Sequence, residues 1–232
     1  MTEDIKGLII PLGIVVLLVA GLVGGVVFLF TYQGANSASI IGEEKKPDKI
    51  DNVFNKPEED NKLEDNKINI DKNMIAILKT NQGDIEIEFF TEDAPKTVAN
   101  FVKLAQEGFY DETKFHRVIK GFMIQGGDPN SRDDSKQSSW GTGGPGYQFE
   151  DEIHANNHNI VGTIAMANSG PNTNGSQFFI NTADNDFLDT KHTVFGRVSS
   201  GMEVVTAIEN TKTGESDRPV SPMIINSIEI IE

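Results

Sequence analysis

The N-terminal part of the chain carries one long apolar run, from Gly7 to Tyr32, which contains no charged residue. As a helix, this run is long enough to cross a hydrocarbon core of about 30 Å, and its last residues are aromatic, as in an interfacial belt. Residues 7–32 are therefore predicted to form a transmembrane anchor after a short flank, 1–6. A cleaved secretory signal is the alternative, but the run is long for one and the flank carries Glu3 and Asp4 rather than a basic cluster.

Residues 33–73 have the opposite pattern, because charged side chains, asparagines and prolines dominate and apolar residues are scattered among them. Such a segment cannot bury enough apolar surface to offset the entropy of ordering it, so a flexible charged linker is predicted. The lysines on the two sides of the apolar run do not decide its orientation. We expect a single-pass membrane protein with an extracytoplasmic C-terminal domain, since an N-terminal anchor before a soluble domain is the usual export arrangement.

From residue 74 to residue 232, short alternations of apolar and polar residues predict one domain that is mainly β. Residues 74–80 and 84–90 both alternate, and the link Asn81-Gln82-Gly83 predicts a hairpin between them. Helices are predicted after Asp93, as an N-cap, and after Gly201. Many short strands with two helices favour a β-barrel or sandwich with helices over its openings. Further strands are predicted at Phe115–Ile119, Phe122–Gln125, Thr163–Ala167, Gln177–Asn181, Val194–Val198 and Ile224–Ile231.

Composition excludes several classes of function. The 232 residues include 35 acidic and 20 basic side chains, a formal net charge of −15, and no cysteine. Nucleic-acid binding needs clustered Lys and Arg, so no nucleic-acid partner is expected. The lack of cysteine rules out disulfides, thiolate zinc sites and cysteine nucleophiles.

The remaining motifs give little support to metal or dinucleotide chemistry. His154 and His158 have the spacing of two metal ligands on one helix, but they stand in a poor helix-forming stretch without the Glu of a zinc protease. The run 141–146, GTGGPG, neither follows an apolar strand nor opens a helix. We therefore expect no metal and no cofactor.

One group of segments combines apolar and amide side chains with a single cation. In the stretch 115–128, alternation puts Phe115, Arg117 and Ile119 on one face of a strand and His116 on the other. Isolated core positions would explain the apolar residues but not the arginine, glutamines and asparagine between them. The candidate site residues are Arg117, Phe122, Met123, Gln125, Ala167, Asn168, Gln177, Phe179, Phe187, Leu188 and His192.

Four segments in order resemble the signature blocks of the cyclophilin family of peptidyl-prolyl cis-trans isomerases. They are FHRVIKGFMIQGGD (115–128), GTGGPGYQFEDE (141–152), MANSGPNTNGSQFFI (166–180) and FLDTKHTVFGRV (187–198). The resemblance covers residues 74–232 and implies a closed, eight-stranded antiparallel β-barrel with an α-helix over each end.

The same resemblance implies a role for each candidate residue. Arg117 matches the catalytic arginine of the family. Many members have tryptophan where this chain has Phe187, which lacks the indole N–H donor, so weakened cyclosporin binding is expected. The resemblance further implies a proline pocket of Phe122, Met123, Phe179 and Leu188, a polar rim of Gln125, Asn168 and His192, and Ala167 and Gln177 beside the bound peptide.

The predicted function is therefore cis-trans isomerisation of Xaa-Pro bonds, assisting protein folding near the membrane surface. The expected partners are proline-containing peptides, unfolded or folding proteins, and the membrane through residues 7–32. Rotation about an Xaa-Pro bond forms no bond to the substrate, so it needs no nucleophile. Two alternatives stay open: a module that binds proline segments with little turnover, and a metal- or dinucleotide-dependent enzyme.

Overall fold

The computed structural model describes residues 74–231, in which nine strands form one antiparallel sheet together with two α-helices. The prediction of a mainly-β domain is confirmed. The strands are β1 Ile75–Thr80, β2 Gly83–Phe89, β3 Thr113–Lys114, β4 Arg117–Ile119, β5 Met123–Gly126, β6 Thr163–Met166, β7 Phe178–Asn181, β8 Val194–Ser200 and β9 Ile224–Ile231. The helices are α1 Pro95–Gln106 and α2 Met202–Glu209, and short 3-10 helices lie at Pro129–Arg132, Asp134–Ser139, Asp186–Leu188 and Glu215–Asp217.

The sheet is curled but open, with the strand order β3-β9-β1-β2-β8-β6-β7-β5-β4. The prediction of a closed barrel of eight strands is wrong in both closure and strand count. A single strand was predicted at Phe115–Ile119, but the chain leaves the ladder at Phe115 and His116. Before the break, β3 pairs with β9, and after it, β4 pairs with β5. β3 and β4 are therefore the two edge strands of the sheet, and they do not pair with each other.

The predicted hairpin is confirmed as β1 and β2, which pair from Ile75 and Glu88 to Thr80 and Gly83. Gly83 closes the turn at a φ of 128°, a backbone conformation that glycine adopts without a steric penalty. On the outer face of β2, the Glu88 carboxylate accepts hydrogen bonds from Arg197 of β8, at 2.9 Å from Nε and 2.8 Å from Nη2. The alternation therefore keeps the acidic positions of β2 in solvent.

Helix α1 is present as predicted, but its capping differs from the prediction. Asp93 is not the N-cap; Ala94 is, and it makes no side-chain capping bond. Instead the Glu152 carboxylate accepts from the backbone N–H groups of Lys96, at 3.1 Å, and Thr97, at 2.7 Å. A distant carboxylate thus satisfies the free N–H groups at the positive end of the helix.

Helix α2 begins after Gly201 as predicted and buries Val204, Val205 and Ile208. Both helices pack on the sheet, α1 against β9 and α2 against β2 and β5. Within residues 74–231, neither helix is long and apolar enough to cross a membrane. The predicted flank, anchor and linker, residues 1–73, lie outside the described residues.

The buried apolar side chains form two separate clusters. The larger contains most of the sheet and helix residues and is the main core. The second apolar cluster consists of Met123, Ala165, Phe179, Leu188 and Val194. Neighbouring residues of one strand belong to different clusters, because successive side chains of a strand point to opposite faces of the sheet. The second apolar cluster therefore lies on the face of the sheet opposite the main core.

Candidate active site

The second apolar cluster brings together the predicted proline-pocket residues. Met123, Phe179 and Leu188 are buried in it, and Phe122 is half-buried against it. The Phe122 ring stacks on the ring of Phe187, with centroids 6.0 Å apart, and Phe187 is 62% exposed. The cluster therefore has aromatic rings at its solvent-exposed margin, where a small apolar ring could pack.

Arg117 lies on the same face of the sheet as this cluster. It is two residues before Ile119, which packs on the cluster, whereas Val118 between them is in the main core. The Arg117 side chain is 43% exposed, and its Nε lies 3.4 Å from Oδ2 of Asp217. A charged donor therefore stands beside an apolar pocket and remains accessible from solvent.

Phe115 does not share the face of Arg117, so that prediction is wrong. It is buried in the main core, where its ring lies 6.3 Å from that of Phe178. The alternation expected for a continuous strand fails because the strand is interrupted between Phe115 and Arg117.

A chain of amide groups connects the sheet to the neighbouring loop. Gln125 stands opposite Arg117 in the ladder and donates from Nε2 to Oε1 of Gln177, at 3.0 Å. Gln177 in turn donates from Nε2 to the carbonyl oxygen of Gly143, at 2.8 Å. These bonds fix Gln125 of the predicted rim, and Gln177 beside it, relative to the loop 141–148.

Asn168 and His192 lie on the far side of the pocket. Asn168 donates from Nδ2 to the carbonyl of Lys191, at 2.8 Å. His192 Nδ1 lies 2.8 Å from the carbonyl oxygen of Met166, so Nδ1 carries the proton. The His192 ring meets Phe179 edge to face, with centroids 5.4 Å apart. The histidine therefore has a fixed orientation at the edge of the apolar pocket.

A cavity of about 760 Å³ lies beside these residues. Loop 141–148 forms one wall, and the opposite wall includes Ala167, Asn168 and Gln177 of the predicted site. The lining contains no charged side chain and is rich in glycine, so backbone amides border the cavity. Such a groove suits an extended peptide, which presents its own backbone donors and acceptors.

Two histidines that could have been metal ligands have separate partners. His154 Nε2 lies 3.0 Å from the carbonyl oxygen of Val194, and His158 Nδ1 lies 3.2 Å from Oδ2 of Asp189. Within residues 74–231, no group of three or more His, Asp or Glu side chains is arranged to hold a metal ion.

Asp189 supports the pocket from behind. Burial opposes its ionisation, but bonds from Asn159 and His158 outweigh that effect and lower the pKa of Asp189. Its Oδ1 accepts from the Asn159 backbone N–H at 2.7 Å. Because Leu188 precedes it in the chain, these bonds hold the pocket wall in place.

Asp217 is a site residue that sequence reasoning missed. It lies 100 positions from Arg117 in the chain, in a polar turn with no hydrophobic periodicity. Its neighbour in sequence, Arg218, is the one signal that the turn could carry an ion pair. That signal is too common on protein surfaces to identify a site.

Comparison with known proteins gives one consistent family. The family model described as cyclophilin type peptidyl-prolyl cis-trans isomerase/CLD matches residues 75–230. The chain is 48% identical over 158 residues to peptidyl-prolyl cis-trans isomerase CYP18-1 of Arabidopsis thaliana, covering 68% of this chain and 96% of that protein.

A second relative is much longer than this chain. Over 157 residues the chain is 50% identical to peptidyl-prolyl cis-trans isomerase 9 of Schizosaccharomyces pombe, covering 67% of this chain. The match spans 25% of that protein, about a quarter of its length.

The fold is also similar to a crystal structure of a cyclophilin type peptidyl-prolyl cis-trans isomerase from Cryptosporidium parvum, determined in the presence of the dipeptide Ala-Pro. The TM-score is 0.62 at 36% identity, and the similarity covers 68% of this chain and 99% of that one.

Proposed function

Because the chain belongs to the cyclophilin-type peptidyl-prolyl cis-trans isomerases, we propose that it catalyses rotation about Xaa-Pro bonds with Arg117 as its catalytic residue. One observation carries this proposal: Arg117, whose side chain is 43% exposed, lies on the same face of the sheet as the second apolar cluster, at whose margin Phe122 is half-buried. A proline ring in the cluster would bring its nitrogen towards the guanidinium.

The barrier that the enzyme lowers is about 18–20 kcal/mol, because rotation breaks the amide resonance of the Xaa-Pro bond. In the twisted transition state the prolyl nitrogen regains a lone pair and accepts a hydrogen bond. A donor aimed at that lone pair stabilises the transition state more than the planar ground states, which is the condition for catalysis. Arg117 suits this role because a guanidinium stays charged and presents several donors in a rigid plane.

The pocket would hold the proline ring while the rest of the peptide turns. Its proposed members are Phe122, Met123, Phe179 and Leu188, which the second apolar cluster and its margin contain. The related Cryptosporidium structure was determined in the presence of Ala-Pro, which supports a proline-containing ligand for this chain.

The polar rim would fix the peptide backbone on one side of the rotating bond. Gln125, Asn168 and His192 border the pocket, and Ala167 and Gln177 line the adjoining cavity. Fixing one side is necessary because free rotation of the whole peptide in the site would leave the Xaa-Pro bond unchanged.

Phe187 supports a proposal about inhibitor binding. Its exposed ring stacks on Phe122 and offers no N–H donor. We propose that cyclosporin binds this protein more weakly than it binds family members with tryptophan at this position.

The activity can be tested with the full-length chain in a mild detergent, by following cis-to-trans conversion of a short peptide with one Ala-Pro bond. We expect strong acceleration, a fall of about 10²–10³ for Arg117→Ala, and a smaller fall for Arg117→Lys. The melting temperature of each variant is the control. It should stay close to that of the wild type, because Arg117 is partly exposed and outside the main core. Peptide binding without acceleration by the folded wild type would favour the alternative of a binding module.

For the N-terminal residues we propose a single-pass anchor at 7–32, a flexible linker at 33–73 and an extracytoplasmic isomerase domain at 74–232 that assists folding near the membrane. The apolar run without charges supports the anchor. Retention of the chain in alkali-washed membranes would support it, and release by alkali would overturn it. Protease added to intact cells or spheroplasts should cut the linker if the domain is extracytoplasmic.

A further inference from the structure

The ion pair between Arg117 and Asp217 has a specific geometry. Asp217 Oδ2 lies 3.4 Å from Nε of Arg117, and its side chain is 48% exposed. The carboxylate therefore contacts the inner edge of the guanidinium, where Nε is. Within residues 74–231, the two terminal NH₂ groups, Nη1 and Nη2, have no hydrogen-bond partner, so they can donate to a ligand.

This contact limits the freedom of the arginine. Arg117 begins β4, a strand of three residues at the edge of the sheet. An arginine on a short edge strand has many rotamers, and ordering it in the transition state of rotation costs conformational free energy. A carboxylate that already holds Nε reduces that cost and keeps the donor plane near one orientation.

The turn that carries Asp217 is itself held in an uncommon conformation. Ser216 and Asp217 both have a φ of 59°. This is the left-handed region, which residues other than glycine, asparagine and aspartate rarely adopt. Backbone bonds close the turn, from Gly214 N–H to Arg218 O and from Val220 N–H to Lys212 O, each at 2.8 Å. Strained backbone of this kind is maintained where the surrounding structure imposes it, often at functional sites.

A cation–aromatic contact anchors the other side of the turn. The Arg218 guanidinium carbon lies 5.9 Å from the centroid of the Trp140 ring. Trp140 is held by a hydrogen bond from Nε1 to the Asp133 carbonyl, at 3.1 Å. The hydrogen bonds that close the turn and the contact of Arg218 with Trp140 therefore restrict the backbone at Asp217. Asp217 contacts Arg117 from this restricted position.

We propose that Asp217 is a positioning residue of the isomerase, which holds the Arg117 guanidinium in the orientation that reaches the prolyl nitrogen. This inference rests on the proposed function of Arg117. In this role Asp217 acts through its contact with Arg117, so it is expected to change the rate of rotation in the bound complex and not the affinity for peptide.

The test compares Asp217→Asn with Glu215→Gln in the full-length chain. Both changes remove one negative charge from the same turn, and asparagine tolerates a positive φ as aspartate does. For Asp217→Asn we expect catalysed exchange of a bound Ala-Pro peptide to slow about fivefold, which corresponds to about 1 kcal/mol. The peptide dissociation constant and the melting temperature should stay at wild-type values, and Glu215→Gln should match wild type throughout.

A double-mutant cycle completes the experiment. If Asp217 acts through Arg117, Asp217→Asn causes no further loss in an Arg117→Ala background. An equal loss in both backgrounds, a loss of peptide affinity with an unchanged exchange rate, or wild-type kinetics in Asp217→Asn would each overturn the inference. These results leave the isomerase proposal intact, because that proposal fails only if the wild-type chain itself does not accelerate exchange.

Discussion

Phe178 and Phe179 are consecutive residues of β7, yet their rings belong to different apolar clusters. The Phe178 ring lies 5.5 Å from that of Phe101 in the main core, whereas the Phe179 ring lies 5.4 Å from that of His192 at the candidate site. The two-residue repeat of a strand thus directs one phenylalanine into the main core and the next towards the candidate site.

This arrangement predicts different effects of truncating the two rings. Phe178→Ala should lower the free energy of unfolding by about 3–5 kcal/mol, because it opens a cavity among packed aromatic rings. Phe179→Ala should cost less stability, since its cluster is small and borders solvent, but it should weaken binding of an Ala-Pro peptide by tenfold or more. Urea denaturation and peptide titration on the two variants give both values, and equal effects of the two changes on binding would contradict the prediction.

Helix α1 depends on Glu152, a residue far from it in sequence. Glu152→Ala should lower the free energy of unfolding by about 1–2 kcal/mol, because it leaves backbone N–H groups of Lys96 and Thr97 without their acceptor. Glu150→Ala is the matched control, since Glu150 makes only an exposed ion pair with Lys96 at 3.5 Å. Similar losses in the two variants, measured by urea denaturation, would mean that the capping contact adds nothing.

His116 should make the stability of the domain depend on pH. Burial lowers the pKa of His116, and the nearby Asp128 only partly offsets that effect. The unfolded chain therefore takes up a proton near pH 6.5 while the folded protein still excludes it. The contribution of His116 is complete above that pH and is lost progressively as the pH falls below it.

Melting temperatures measured between pH 7.5 and 5.0 test this dependence. The wild type should lose stability as the pH falls, and His116→Gln should lose less over the same interval, whatever its melting temperature at pH 7.5. A wild-type slope in His116→Gln would assign the pH dependence to other groups.

Phe187→Trp should strengthen cyclosporin binding, because it adds an indole N–H donor beside the pocket. One hydrogen bond is worth about 0.5–1.5 kcal/mol, so we expect an increase in affinity of about three- to tenfold. Phe187→Leu lacks both the donor and the ring and should bind no better than wild type. The affinities are measured by titrating the three proteins with cyclosporin. If Phe187→Trp bound cyclosporin no more tightly than the wild type, the proposed role of the indole donor would be wrong.

The sequence alone predicted those elements of the fold that depend on short-range patterns. The alternation on both sides of Asn81-Gln82-Gly83 predicted the first hairpin, and the periodicity after Gly201 predicted α2. The proposed pocket residues were identified because their segments resemble a known family. Strand alternation accounts for Met123 and Phe179, whereas Phe122 precedes β5 and Leu188 lies in a 3-10 helix, so their place beside the cluster depends on the fold.

The errors concern features that depend on tertiary contacts. Alternation placed Phe115 with Arg117, but the strand breaks between them, and the same break leaves the sheet open. Asp93 was the best local candidate for the N-cap of α1, yet the N-cap is Ala94, and Glu152, from another part of the chain, accepts the hydrogen bonds of the first N–H groups. Asp217 had no specific local signal beyond the adjacent Arg218, because its contact is with Arg117, a residue 100 positions away.

The two edges of the open sheet are very short, since β3 has two residues and β4 has three. At the β4 edge few backbone groups are unpaired, so this edge is a poor template for an added strand. Among the described residues β3, in contrast, pairs only with Ile224 and Ile225 of β9. If the domain turns prolines in unfolded chains, as proposed, it meets segments that are ready to pair with a free edge. The short β4 edge, which begins with Arg117, would then leave such a chain free to dissociate after its proline has turned.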